Sequence, residues 1–449
     1  MKMMKNLTRW LLAGLVAFAL GPGALYAEDD AWRLGMTAGV GAYQEGRYAE
    51  AEEKFSAAVK EAESFGAEDP RLAASLNNLA SLYAAQGRYA RAEPLSERAL
   101  AIREKVLGPE HAEVAQSLHN LASLHAARGR YAAAEPLARR ALAIREKVLG
   151  PEHPDVAQSL NGLVELYRAR GQTADAEGLA QRALAIAEKA LGPEHPDVAT
   201  SLNNLAGIHL AQGQYARAEA LYRRALAIRE KALGSEHPDI ATSLNNLGVL
   251  YATRGRNVEA EALYRRALAI REKALDPEHP HIATSLNNLG LLYAIQGHND
   301  QAEPFYTRAL AIDEKALGAE HPTVATDLNN LALLYVARDK TAEAEPLFKR
   351  ALAIREKTLG AEHPDVATTL NNLAVLYHNQ GKTAKAESLY RRAYFIREKA
   401  LGPEHPNLAV SLENYAALLR KTHRKSEAVK LEARAEKIRA TLAAATTTQ

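Results

Sequence analysis

The sequence predicts an all-α solenoid of about ten antiparallel helix pairs. Three observations predict it. The string S-L-N-N-L-A at Ser75–Ala80 and Ser201–Ala206 returns as S-L-N-N-L-G at Ser243–Gly248 and Ser285–Gly290, always in a frame of 42 residues. Within each frame, apolar residues recur at helical spacing in two runs, in most copies divided by a Gly-containing turn and closed by Leu-Gly with Pro close behind. Aromatics make up 6% of a chain rich in Ala, which suits closely packed helices better than a β-sandwich or barrel.

The first 27 residues stand outside that frame and read as a signal peptide, 1–27. Lys2, Lys5 and Arg9 form a basic start, and Trp10–Leu20 an apolar run of eleven residues. Gly21-Pro22-Gly23 breaks the run, and Ala24-Leu25-Tyr26-Ala27 offers a cleavage site before Glu28. A membrane span needs about 20 apolar residues, so an uncleaved anchor is the weaker reading. The expected product is exported, in the periplasm, without a stable membrane span. Cleavage would leave 53 Lys and Arg against 54 Asp and Glu, a net charge of −1. No basic footprint for nucleic acid remains. The chain has no Cys, which excludes disulfides and thiol chemistry.

An atypical helical repeat follows at 28–70, where "YQEGRYAEAEEKFSAAV" keeps the Gly, Tyr and Ala positions. Eight 42-residue repeats occupy 71–406. In most of them the first helix starts at a Pro, often with an acid beside it, as in Pro196-Asp197, and stops before the turn Gly, as at Gly213. The second helix runs from about Tyr215 and is capped by Gly234. Pro94, Pro136, Pro304 and Pro346 fall early in this second helix and are expected to bend it or remove a bond. A capping repeat at 407–440 loses the turn Gly (His423), and 441–449 is expected as a disordered tail.

Asn is a poor residue inside a helix, so the recurring pair asks for a reason. With Leu244 at zero, about 100° per residue places Leu247, Gly248 and Tyr251 on one packing face. Asn246 then lies almost opposite, with Thr242, Val249 and Thr253, and Asn245 on the flank of that outward stripe. Gly248 lets the paired helix approach closely. In a stack, the outward stripe of the first helix becomes an inner wall, with rungs roughly 10 Å apart. An amide there can bond the backbone of an extended peptide. It can equally bond a neighbouring repeat or stand in solvent; the helical phase favours the ligand-facing reading. Gly207, Val249, Leu291, Leu333 and Val375, with Leu210, Ile295 and Val336, add an aliphatic lining.

The pattern L-x-x-L-A/G-x-x-Y, G-x-Y-x-x-A, Y-x-x-A resembles the tetratricopeptide repeat. With "LNNLA", "AEPLYxRALAIREK" and "LGPEHPDVA" it is similar to the 42-residue variety of kinesin light chains and bacterial exported proteins. The resemblance implies a superhelix whose first helices line a concave channel for peptide partners. Groove asparagines bind peptide backbone in kinesin light chains and in the repeats of O-linked N-acetylglucosamine transferase. Carried over by position, the candidates are Asn78, Asn120, Asn204, Asn246, Asn288, Asn330 and Asn372, with Asn203, Asn245, Asn287, Asn329 and Asn371 beside them. Thr200, Thr242, Thr284, Thr326 and Thr368 stand where carboxylate-clamping relatives carry Lys or Arg, so a carboxylate clamp is disfavoured. His119 interrupts one copy, and Gly162, Glu165 and Arg168 the next; either ligand specificity is read there or the sequence has drifted.

Eight histidines at the same interval, His111 to His405, suggest metal only until spacing is considered. Copies roughly 10 Å apart cannot share an ion whose ligands lie within about 2.1 Å. Asp69 holds the equivalent place before Pro70, so a helix-capping role is expected. His125 and His209 replace the packing Tyr and are expected in the core. "GKT" at Gly381–Thr383 lacks the rest of a phosphate loop. Runs such as Arg229-Glu230-Lys231 read as a solvated face. No catalytic pair, metal site or cofactor is expected. The reading is a non-enzymatic scaffold that binds an extended protein or peptide partner; the alternative is an envelope-organising protein acting through its ends or convex face.

Overall fold

The computed structural model describes residues 27–447 apart from 46, 129 and 171. The signal-peptide expectation lies outside them except for Ala27. Among the described residues all regular structure is helical, and consecutive helices pair antiparallel into ten pairs. Pair 1 is α1 (Ala27–Gln44) and α2 (Tyr48–Ser64); pair 2 is α3 (Pro70–Ala85) and α4 (Tyr89–Leu107); pair 3 is α5 (Ala112–Ala127) and α6 (Tyr131–Leu149). Pair 4 is α7 (Pro154–Ala169) and α8 (Thr173–Leu191), and pair 5 is α9 (Pro196–Ala211) and α10 (Tyr215–Leu233). Pair 6 is α11 (Pro238–Thr253) and α12 (Asn257–Ala274), and pair 7 is α13 (Pro280–Ile295) and α14 (Asn299–Leu317). Pair 8 is α15 (Pro322–Ala337) and α16 (Thr341–Leu359), pair 9 is α17 (Pro364–Asn379) and α18 (Thr383–Leu401), and pair 10 is α19 (Pro406–Lys421) and α20 (Lys425–Thr447). The last helix extends to Thr447, over most of the expected tail, because "TLAAATT" is dominated by Ala, the best helix former.

The histidines cap helices. Nδ1 of His111, His153, His195, His237, His279, His321, His363 and His405 accepts the N–H two residues on, at 3.0–3.2 Å. Asp69 does the same for Arg71 at 2.8 Å. Where Asp276 replaces the closing Gly, α12 ends one residue early and the Asp276 carboxylate accepts the Glu278 N–H at 2.9 Å. Within pairs, small residues admit rings. A β-carbon on Gly248 would stand 2.5 Å from Tyr264, and one on Gly290 2.9 Å from Tyr306.

The Arg-Glu-Lys runs are not uniformly solvated. Arg229 is 2% exposed, and Arg103, Arg145, Arg271, Arg355 and Arg397 are buried like it. Tyr222, Ala225 and Arg229 fall at i, i+3 and i+7, so the guanidinium lies on the core stripe, while Glu230 and Lys231 turn outward. Each buried Arg donates from Nη1 to a hydroxyl on the next pair: Ser117, Ser159, Ser243, Ser285, Thr369 or Ser411, at 2.5–2.9 Å. It also donates to a backbone carbonyl at the start of that pair's first helix, such as His281 at 2.8 Å. Nη2 reaches back to the first helix of its own pair, at Thr242, Thr326 or Thr368 among others. One side chain thus ties three helices. The outer Lys–Glu and Arg–Glu pairs, such as Lys231–Glu194 and Arg266–Glu230, are exposed and add little.

The array winds back on itself. His321 Nε2 stands 3.0 Å from the Ala85 carbonyl oxygen, 236 residues away, and Leu359 joins the apolar cluster of pairs 1 to 3. Leu401 packs against the apolar cluster of pairs 3 and 4 that contains Ala122, Leu163 and Leu166. Pairs 7 to 9 therefore lie against the turns of the early pairs.

Arg271→Ala is expected to cost about 3 kcal/mol, since it leaves Ser285, Thr242 and the His281 carbonyl without their charged donor. Chemical denaturation measures it, with exposed Arg217→Ala as a control staying within about 0.5 kcal/mol.

Candidate functional site

The first helices carry two kinds of asparagine. The leading one lies between pairs: Asn77, Asn161 and Asn245 donate from Nδ2 to Ser117, Ser201 and Ser285 at 3.1–3.4 Å, and Asn287 to Asp327 at 2.6 Å. In two of these cases the same hydroxyl also receives Arg103 or Arg271. Asn203, Asn329 and Asn371 are buried at the same level. Asn77, Asn161, Asn245 and Asn287 thus bond a neighbouring repeat, one of the alternatives left open by the sequence, through a side chain of that repeat. His119 shares this position; burial, aided by Arg145, pushes its imidazole down to about 3, so it is neutral inside the stack and away from the wall.

The second asparagine lies on the side of the first helix opposite its packing face. Along the early pairs that side is covered: Asn78, Asn120 and Asn204 are buried, and every residue from Leu72 to Ala85 in α3 is buried. Asn204 donates to Asn161 at 3.0 Å, and Asn372 to Asn329 at 3.0 Å, so some amides run back along the ladder. From pair 6 onward the wall opens. Thr242, Asn246, Val249 and Thr253 are half-buried or exposed on α11, and Asn288 stands beside Leu291 and Ile295 on α13. Leu291 is 37%, Ile295 65% and Leu333 43% exposed. Asn372 and Val375 continue the strip on α17, while Asn330 stays buried with no protein acceptor at Nδ2. The threonines of this wall are half-buried, and several accept from the buried arginines.

Glu165 and Arg168 pair with each other at 3.0 Å on α7. The Arg168 guanidinium lies on Gly207 of the next pair, where a β-carbon would be 2.8 Å from Nη2. They fill the wall at the point where Gly162 removes an amide. His209 is buried and His125 half-buried, as the packing phase required. The sequence reading missed the buried arginines, although their phase beside Tyr222 and Ala225 carries the signal. Among the described residues, the exposed part of this face is an apolar strip edged by amides and hydroxyls.

The profile of the tetratricopeptide repeat matches the chain in nine overlapping stretches, from residues 36–105 through to 365–441. Among solved structures, a putative kinesin light chain of Podosopora anserina with nearly identical repeats is similar at 34% identity, covering 46% of this chain and 98% of that one, with a TM-score of 0.38. BtubC from P. vanneervenii is similar at 26% identity, over 51% of this chain and 90% of that one, with a TM-score of 0.41. A Rap protein complexed with competence and sporulation factor is 16% identical over 83% of this chain and 99% of that one, and its TM-score of 0.55 reflects a shared fold. No curated protein matches. Nine consecutive matches on a paired-helix stack establish that the chain belongs to the tetratricopeptide repeat family.

Proposed function

We propose that the chain is a non-enzymatic protein-binding scaffold whose open concave wall, from pair 6 onward, holds an extended segment of a partner. The observation that carries this reading is the exposed apolar strip of Leu291, Ile295 and Leu333, with half-buried Val249 and Val375, on the side where Asn246, Asn288 and Asn372 are also half-buried. Apolar side chains of the partner would rest on that strip, and Asn246, Asn288 and Asn372 would bond its backbone. Burial of one leucine-sized contact supplies about 1.5–3 kcal/mol, so several repeats in series suffice for a useful affinity. Family membership supports a protein partner. The basic start and apolar run before Glu28 support export to the periplasm, and among the described residues no helix is long and apolar enough to cross a membrane.

Peptides selected by the wild-type protein from a displayed random library are expected to bind Leu291→Ser/Leu333→Ser at least tenfold more weakly, with unchanged helical dichroism. Asn246→Ala/Asn288→Ala/Asn372→Ala is expected to weaken them less, because amide contacts net about 1 kcal/mol each. Full affinity in both variants would remove the wall from the binding site. For export, the protein recovered from the periplasmic fraction is expected to begin at Glu28; an uncut chain confined to the cytoplasm would refute it.

A further inference from the structure

The contact between the two windings is built from complementary parts. From the later pairs come the helix-start loops: His279, His321 and His363 are buried, whereas His111, His153, His195 and His237, which begin earlier pairs, are half-buried or exposed. From the early pairs come the turns between helices. His279 hydrogen-bonds the backbone of Gln44, and His321 the carbonyl of Ala85. Gly87, at φ +67°, sits so close beneath this loop that a β-carbon would be 2.5 Å from Pro322 Cδ and 2.8 Å from His321 Cδ2. The tyrosine after the turn glycine is kept at Tyr48, Tyr89 and Tyr131. The hydroxyls of Tyr89 and Tyr131 feel Asp365, and that of Tyr48 feels Asp313, across the seam. At later turns the residue is Asn257, Asn299, Thr341, Thr383 or Lys425, and Tyr215, which lies outside the seam, is exposed.

We propose that this seam is a clasp opened by acid, in which protonation of His279, His321 and His363 releases the second winding from the first while the helices stay folded. The reason is geometric. Nδ1 of His321 accepts the Thr323 N–H, so Nε2 carries the proton and donates to Ala85; the ring needs its neutral tautomer for both bonds. A second proton would destroy the cap and place an imidazolium under Gly87. Burial pushes His279 and His321 down to about 4, and it lowers His363. The surrounding charges are mixed. His279 faces Arg271 and Asp276, with the His281 ring 4.7 Å away. His363 faces Arg355 and Asp365, the latter at 3.9 Å, which moderates its contribution. Arg128 lies beside Tyr89.

Above the ordinary imidazole range both forms are neutral, and the clasp is indifferent to pH. Below about 6.5 the open form binds protons that the closed form refuses, so closure weakens as pH falls toward about 4. Each ring held at about 4 raises the open-to-closed ratio by about fortyfold between pH 6.5 and 4.5.

The absence of Cys makes the test direct. Spin labels at Ala90→Cys and Ala319→Cys, both exposed beside the seam, report the distance between windings. Wild-type labels are expected to separate at pH 4.5 with helical dichroism intact, and His279→Gln/His321→Gln/His363→Gln to remain closed at both pH values. An unchanged wild-type distance, separation only with loss of helix, or identical opening in the triple variant would overturn the proposal. Gly87→Asp supplies a second arm. The equivalent turn of pair 8 carries Asp339 at φ +57°, so the turn itself accepts the residue. Gly87→Asp is expected to open the seam at pH 7.5, and Gly381→Asp, with nothing near its β-carbon position, to leave it closed. A closed Gly87→Asp variant would refute the clasp.

Discussion

A guanidinium buried where three helices meet is the contact on which the stack depends. An apolar interface between helix pairs would permit sliding and several crossing angles. A fixed fork of donors that must find a threonine behind, a serine ahead and a carbonyl at the next helix start permits one register. Arg229, Arg271, Arg355 and Arg397 each meet a hydroxyl on either side of the joint. The leading asparagine reinforces the arrangement by sharing the serine. Polar groups with so many partners in a low-dielectric joint are costly to break, which is how a chain of small apolar residues keeps a defined winding.

That joint explains the amides that helix propensity disfavours. The leading asparagine and the serine of the next pair belong to the weld between neighbours, while the second asparagine lies on the side away from the packing face, buried in the early pairs and half-buried at Asn246, Asn288 and Asn372. Local phase distinguished that side from the packing face of Leu244 and Tyr251. Phase could not assign Asn245, because a flank position at about 100° from the core stripe abuts whatever the next pair supplies, whereas Arg229, seven residues after Tyr222, has the phase of the core. The histidine caps were legible from Pro, Asp69 and spacing alone. The return of His321 to Ala85 was not, since it depends on small rotations accumulated over intervening pairs; only the selective retention of Tyr48, Tyr89 and Tyr131 marks it in the sequence.

The concave side is consequently uneven. Ala, Ser and Asn line it in the early pairs, where the walls are covered, and Val, Leu and Ile replace them from Val249 onward, where they are open. The exposed apolar side chains of this face, Leu291, Ile295 and Leu333, therefore all lie in the second half of the array.

The guanidinium series has gaps. Ala187 and Asp313 occupy the positions equivalent to Arg145 and Arg271, and at the second gap the hydroxyl partner is also replaced, by Asp327. In a quasi-one-dimensional protein, stability is a sum of units and nearest-neighbour couplings. At these two joints other groups span the gap: Asn161 donates to Ser201 and Asn204 to Asn161 across the first, and Asn287 donates to Asp327 at 2.6 Å across the second. The solenoid is thus joined at every step but not by the same group at each, so a change in one joint's chemistry is absorbed locally and leaves the other joints as they were.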